Sequence, residues 1–299
     1  MKNTTITLLD GGMGQELRRR SQKPASPLWS TQVMLDEPEL VTAAHRDFID
    51  AGAEVITANT YAATPPRLER DGQPDWFESL HAAALDAAHR ARDEAGRSAR
   101  VAGCLPPLVA SYHADVAPDD ATCLDDYRRI VSVQASGIDL FIVETMSLTR
   151  EAVAATRAAR ESGLPVWVAF TVDDENGHQL RSGEPLIDAA RAVIDAGAEA
   201  VMANCSFPEA VTKAMSDLSG LGVPFGGYAN GFTAAANLQP GGTVDALTAR
   251  EELTPTAYAV HVRDWINAGA TLVGGCCEIG PAHIAALREM LDTEVGSPS

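Results

Sequence analysis

Four times this chain repeats one phrase: a turn of small residues around a glycine, then a short apolar run. Asp50-Ala51-Gly52-Ala53-Glu54 leads into Val55-Ile56-Thr57-Ala58-Asn59, and Asp195-Ala196-Gly197-Ala198-Glu199 into Ala200-Val201-Met202-Ala203-Asn204. Asn267-Ala268-Gly269-Ala270 precedes Thr271-Leu272-Val273-Gly274-Gly275, and Ser136-Gly137-Ile138-Asp139 precedes Leu140-Phe141-Ile142-Val143-Glu144. Each copy reads as a helix ending on a glycine cap, followed by a buried strand. Repeated helix-cap-strand units imply parallel strands joined by helical crossovers.

Strand candidates number eight, at 6–9, 54–58, 100–104, 139–143, 166–172, 200–203, 224–228 and 271–274. Amphipathic helical stretches at 39–51, 76–94, 125–136, 151–161, 185–196, 254–268 and 281–291 separate most of them. This alternation predicts an α/β fold, a (β/α)8 TIM barrel, in one domain over residues 1–292. The excess length is expected in two loops, 18–38 and 230–254, and a disordered tail is expected over 293–299.

A barrel of this kind puts its chemistry at the carboxyl ends of the strands. Three cysteines fall there: Cys205 after one apolar run, and the adjacent pair Cys276-Cys277 after another that ends in two glycines. The residues leave three readings open: buried apolar cysteine, a vicinal disulfide, or three thiolates holding Zn²⁺ with its fourth position free, as a catalytic zinc has. A metal would deprotonate a substrate thiol that is otherwise only a few per cent ionised at pH 7. Asp10-Gly11-Gly12-Met13-Gly14 is either an amide nest for a carboxylate or phosphate, or an ordinary turn. Glu144 is either a functional carboxylate, able with Asp10 to hold an ammonium, or half of a structural ion pair. Cys104 reads as a lining or packing residue and Cys123 as incidental. Trp29 reads as a lid or a loop anchor, and the seven histidines show no metal-ligand spacing.

Charge and composition narrow the partners. The chain carries 41 acidic and 23 basic residues, a formal net charge of −18, which disfavours nucleic acid and anionic membranes. No apolar run is long enough to span a bilayer, and residues 1–10 lack a signal-type core, so a cytoplasmic protein is expected. Five cysteines in a chain of 299 residues are not a disulfide framework.

These residues resemble the zinc-dependent homocysteine S-methyltransferases over nearly the whole chain. The resemblance rests on Leu9-Asp10-Gly11-Gly12-Met13-Gly14, Leu28-Trp29-Ser30, Glu37-Pro38-Glu39-Leu40-Val41 and His45-Arg46-Asp47-Phe48. It continues in Thr57-Ala58-Asn59-Thr60-Tyr61, Val143-Glu144-Thr145, Ser182-Gly183-Glu184-Pro185-Leu186, Asn204-Cys205 and Gly274-Gly275-Cys276-Cys277. It implies Zn²⁺ on Cys205, Cys276 and Cys277, with the homocysteine sulfur in the open position. It implies that Asp10 and Glu144 hold the amino group and serve the catalytic step. The substrate carboxylate would meet amides near Gly11, Gly12 and Thr60, with Trp29 and Asn204 also at the substrate.

The implied reaction moves a methyl group from an onium donor to homocysteine and yields methionine. Betaine enzymes cage a quaternary ammonium with tyrosines, and the matching positions here are Ala62 and Thr145. A sulfonium donor, S-methylmethionine or S-adenosylmethionine, is therefore expected. A corrinoid would have to come from a separate partner. Leu105-Pro106-Pro107, Tyr228-Ala229-Asn230 and Glu278-Ile279 depart from the family pattern where donor-facing loops are expected, and Glu278 would add negative charge beside the metal site. The rival readings are a demethylase of another onium compound (betaine or dimethylsulfoniopropionate) or of a methyl-corrinoid partner, using homocysteine or another thiol as acceptor, and a non-enzymatic zinc or redox sensor. A homo-oligomer is compatible with either enzyme reading.

Overall fold

Eight short strands, all parallel, run β1 (Thr7–Leu8), β2 (Val55–Thr57), β3 (Arg100–Leu105), β4 (Leu140–Met146), β5 (Val166–Phe170), β6 (Ala200–Asn204), β7 (Phe225–Tyr228) and β8 (Leu272–Val273). The computed structural model describes residues 5–23, 28–233 and 248–295 of the chain. Consecutive strands pair in order from β2 to β8, and β8 pairs with β1. The last seam is closed by a bridge between Leu9 and Val55, with the Glu54 amide donating to Leu8 O and the Asp10 amide to Val55 O. The fold is the expected TIM barrel, and every strand lies within two residues of its expected bounds except β4 at its carboxyl end, which runs to Met146.

Among the described residues the helices are α1 (Met13–Arg20), α2 (Trp29–Asp36), α3 (Pro38–Asp50), α4 (Pro65–Arg70), α5 (Phe77–Glu94), α6 (Asp120–Gln134), α7 (Thr149–Arg160), α8 (Leu186–Asp195), α9 (Pro208–Leu218), α10 (Pro255–Asn267) and α11 (Pro281–Val295). None is long and apolar enough to cross a membrane. The segment 18–38, expected as a loop, instead carries the end of α1 and all of α2. Both helices are eight residues long and their order comes from packing, since isolated helices that short do not hold in water. Helix α6 begins five residues before its expected start because Asp119 caps it, accepting from the amides of Ala121 and Thr122. Most of the long loop after β7, residues 234–247, lies outside the described residues, as does the tail from 296; α11 itself runs to Val295.

The repeat has a physical explanation. Gly52, Gly197 and Gly269 have φ of +114°, +108° and +104°. In each copy the amide after the glycine reaches back five residues to close the helix: Ala53 to Phe48 O, Ala198 to Val193 O, Ala270 to Trp265 O. The fourth copy departs: the helix tightens into a 3₁₀ turn over Ala135–Gly137, and Gly137 keeps negative φ.

Strand alternation sorts side chains into two cores. Outward residues such as Leu8, Ile56, Phe141, Val168 and Val201 pack under the helices. Inward residues fill the barrel: Leu9, Val55, Ala102, Leu140, Ile142, Trp167, Ala169, Met202, Tyr228 and Leu272. The same period carries Leu140 and Ile142 on to Glu144, Ala102 on to Cys104, and Ala200 and Met202 on to Asn204. Polar residues therefore top an apolar barrel.

Gly197→Ala should cost about 1–3 kcal/mol, because a Cβ is forced into a backbone region that side chains rarely adopt. By calorimetry the midpoint should fall by about 3–10 °C. An unchanged midpoint would show that the cap is not what holds the α8–β6 junction.

Candidate active site

The mouth of the barrel opens into a cavity of about 190 Å³ lined by Asp10, Glu144, Cys205, Cys276, Cys277 and aromatic side chains. The cysteine cluster is made by two turns. Cys205 ends β6 with φ +47°, its amide held by Tyr228 O and its carbonyl by the Thr171 hydroxyl. After β8 the chain passes Gly274 and Gly275, where the Gly275 amide donates to Asp10 O and the Cys276 amide to Ala229 O. The Ile279 amide then returns to Cys276 O, with Glu278 at φ +66°. Gly11 and Gly12 are obligatory partners of this turn. A Cβ on Gly11 would lie 2.1 Å from Ile279 O, and one on Gly12 2.5 Å from Cys276 O.

The three ligand sulfurs lie within 4.8 Å of one another, with Cys205–Cys277 at 3.8 Å and Cys276–Cys277 at 4.0 Å. All are free thiols, so the vicinal pair is not a disulfide. Thiolates about 2.3 Å from a tetrahedral zinc stand about 3.8 Å apart, so the spacing and the soft donor set both fit that ion. Hydrogen bonds from Cys276, Cys277 and Tyr112 hold the Cys205 thiol well below the ordinary thiol range despite its burial. Donation toward Cys205, together with burial, pushes the thiols of Cys276 and Cys277 up.

Two carboxylates face the same cavity. Asp10 accepts from the Thr57 amide at 2.8 Å, and burial pushes it up to about 8 against that bond, with the charge of Glu144 adding to the rise. Glu144 accepts from the Cys104 thiol at 2.9 Å and the Tyr228 hydroxyl at 3.4 Å, and burial raises it to about 7. The lining holds no lysine, arginine or histidine among the described residues. Such a pocket favours a cationic group: an arriving ammonium supplies the charge that burial withholds from both acids.

The other expected site residues fall in different places. Asn204 is fully buried and spends its amide on Thr145: Oδ1 accepts from the Thr145 amide at 3.0 Å, and Nδ2 donates to its hydroxyl at 2.9 Å. Thr145 sits at φ +60° where β4 shifts register between Val143 and Met146, so this clamp fixes the strand end that carries Glu144. The Thr60 amide donates to Ala58 O and its hydroxyl accepts from Gln134, while the Gly12 amide donates to Ile279 O. Gly11 and the first turn of α1, Met13 and Gly14, line the cavity, and first-turn amides have no carbonyl within their own helix. Trp29 opens α2, but its side chain lies outside the described residues; its neighbour Ser30 lines the cavity and accepts the Asn59 amide at 2.7 Å through its carbonyl. Glu278 is drawn off the cysteines by Arg19 of α1 at 2.6 Å. His178 pairs with Asp217 at 2.9 Å and does not line the cavity, nor does His113.

Sequence reasoning passed over Tyr112, whose hydroxyl lies 3.0 Å from Cys205 Sγ, and gave Cys104 no part in holding Glu144. Tyr112 sits in an irregular loop at φ +68°, with no periodicity to mark it.

The sequence profile described as homocysteine S-methyltransferase matches residues 7–291 of the chain. The homocysteine S-methyltransferase of Escherichia coli is 31% identical, over 95% of this chain and 94% of its own length. The S-methylmethionine–homocysteine S-methyltransferase of Rattus norvegicus is 30% identical, over 97% and 80% respectively. Among solved structures, the metallated form of the Escherichia coli homocysteine methyltransferase superposes with a TM-score of 0.80 at 27% identity, covering 96% of this chain and 97% of that one.

The buried acids have a pH consequence. Asp10 ionises from 3.8 when exposed but only near about 8 in the fold, so between these values the folded state holds more protons than the unfolded. Its contribution to stability is therefore full below the lower value and lost as pH rises through the upper. Melting midpoints of metal-free protein should fall more steeply from pH 5 to pH 8 in the parent than in Asp10→Asn. Equal slopes would show that Asp10 is ionised throughout.

Proposed function

This chain belongs to the homocysteine S-methyltransferase family, and we propose that within it the chain moves a methyl group from a sulfonium donor, S-methylmethionine or S-adenosylmethionine, onto the sulfur of homocysteine bound at a Cys205–Cys276–Cys277 zinc centre. The observation that carries the reading is the company the three sulfurs keep. They share one buried cavity with two carboxylates and no cationic side chain among the described lining residues.

Cys205, Cys276 and Cys277 would hold the zinc. When bound, that ion supplies the Lewis acidity that keeps an incoming thiol deprotonated at neutral pH. Asp10 and Glu144 take the substrate ammonium and give up their own protons as it arrives. The Gly11 amide and the open first turn of α1 face the substrate carboxylate, since the Gly12 and Thr60 amides are already engaged. Held at both ends of its amino-acid group, homocysteine has its sulfur placed rather than searching, which is where most of the rate gain of a two-substrate displacement arises.

The donor would approach across the faces of Tyr61, Tyr112, Tyr228 and Phe232, a lining suited to a positive sulfur. A lone pair of the homocysteine sulfur attacks the methyl carbon. The bond from that carbon to the donor sulfur breaks, its electron pair stays on the donor, and a neutral thioether leaves. Charge is consumed in this step, so a desolvated cavity favours it over the charged reactants. The aromatic lining would suit a quaternary ammonium as well, so the preference for a sulfonium donor rests on the resemblance, which matches Ala62 and Thr145 to the tyrosines of the betaine cage.

Methionine formation by zinc-loaded protein, with S-methylmethionine, S-adenosylmethionine, betaine and dimethylsulfoniopropionate compared side by side, tests the reading. Turnover is expected with a sulfonium methionine derivative; betaine alone as donor would refute the assignment. Serine in place of any one of Cys205, Cys276 or Cys277 should abolish stoichiometric zinc and lower turnover by about 10³-fold or more. Asp10→Asn and Glu144→Gln should keep the metal and raise KM for homocysteine by about 10–100-fold, the value of a charged hydrogen bond. Full activity in a cysteine variant would sink the mechanism.

A further inference from the structure

A set of linked side chains closes on Cys205. The Tyr112 hydroxyl lies 3.0 Å from Cys205 Sγ. The guanidinium of Arg181 stacks over the Tyr112 ring, 4.8 Å from its centroid. Arg181 is itself fixed: Nε donates to the Thr171 hydroxyl at 2.9 Å and Nη2 to Asp174 at 3.0 Å. The Thr171 hydroxyl donates onward to Cys205 O at 3.2 Å, and Asp174 accepts the Phe207 amide at 2.9 Å. The contacts thus form a ring that leaves Cys205 through its sulfur and returns through its carbonyl. Tyr112 is held at φ +68°, a region that residues other than glycine adopt only where their surroundings impose it.

The ring meets an electrostatic need. Zinc on three thiolates carries one net negative charge, and a fourth thiolate from the substrate makes it two. Asp10 and Glu144 share the cavity, and no cationic side chain lines it among the described residues. Arg181 does not line the cavity either; its charge lies behind the face of Tyr112, and it acts on Cys205 both across space and through that ring. A cation over a phenol ring draws density from it and makes the hydroxyl a stronger donor.

The geometry points to Tyr112, backed by Arg181, as the positioning residue that donates a hydrogen bond to the Cys205 thiolate and lets the three-cysteine centre accept a fourth, substrate thiolate. This role rests on the zinc reading of the previous section and adds to it two residues outside the ligand set.

Cobalt substitution of the full-length protein tests it, because the thiolate-to-cobalt charge-transfer band reports electron density on sulfur directly. Tyr112→Phe should move that band to longer wavelength, and Arg181→Met should move it the same way by less. The double variant should shift by less than the sum of the two single shifts, since part of the effect of Arg181 passes through the Tyr112 hydroxyl. KM for homocysteine should rise by about tenfold in Tyr112→Phe while kcat stays within about twofold, the mark of a weakened bond to the incoming thiolate. A band unmoved by Tyr112→Phe overturns the role of the hydroxyl; shifts that simply add in the double variant overturn the relay through Arg181. Absence of any charge-transfer band in the parent protein overturns the thiolate metal centre itself, and the role of Tyr112 with it, which tells that failure apart from failure of the relay alone.

Discussion

Everything at the mouth of this barrel hangs on how Asp10 closes it. Its amide donates to Val55 O of β2, its carbonyl receives the Gly275 amide beyond β8, and its carboxylate takes the Thr57 amide. One residue thus seams the first strand to both neighbours and docks the turn that carries Cys276 and Cys277. The glycines that follow let that turn lie directly on the β1 loop, where a Cβ at either would meet a carbonyl oxygen. Barrel closure, the Cys276–Cys277 turn and the Asp10 carboxylate are therefore mechanically one unit, which is why a change to any of them should be felt by the others.

The second organising constraint is charge. A buried cavity holding two acids and three thiols has no cationic side chain among its described lining residues, and burial raises both acids above the ordinary carboxylate range. On the proposed reading it becomes ionic as cations enter: metal, ammonium and onium donor would each be positive, so each arrival would make the next anion in the pocket cheaper to form. Glu278 would work against this by adding charge beside the cysteines, and Arg19 neutralises it in place.

Four residues other than glycine hold positive φ among those described: Tyr112, Thr145, Cys205 and Glu278. Two line the cavity beside the third, Cys205, and the fourth follows the cysteine pair. Strained backbone collects at sites where geometry is set by surroundings. Here the surroundings can be named: Asn204 for Thr145, the Thr171–Arg181–Tyr112 ring for Cys205, and Arg19 for Glu278.

The sequence by itself determined the eight-stranded parallel barrel, because the glycine that ends a helix must adopt a conformation few other residues can, and three copies of that punctuation survive as Gly52, Gly197 and Gly269. It also put Glu144, Cys104, Cys205 and the Cys276–Cys277 pair at the carboxyl ends of strands, because each closes or follows an apolar run. Helix α2 and the end of α1, within 18–38, were not legible, since their order comes from contacts with α3 and α5 and not from local propensity. Nor was the division of labour within the site. Asn204 and Thr60 sit in the right motifs but face their neighbours, and Tyr112, in no motif at all, reaches the sulfur of Cys205. Periodicity is a property of neighbours along the chain and can be read from it. Which polar atom is already satisfied depends on partners 74 residues from Thr60, 59 from Asn204 and 93 from Tyr112, and only the closed barrel brings those together.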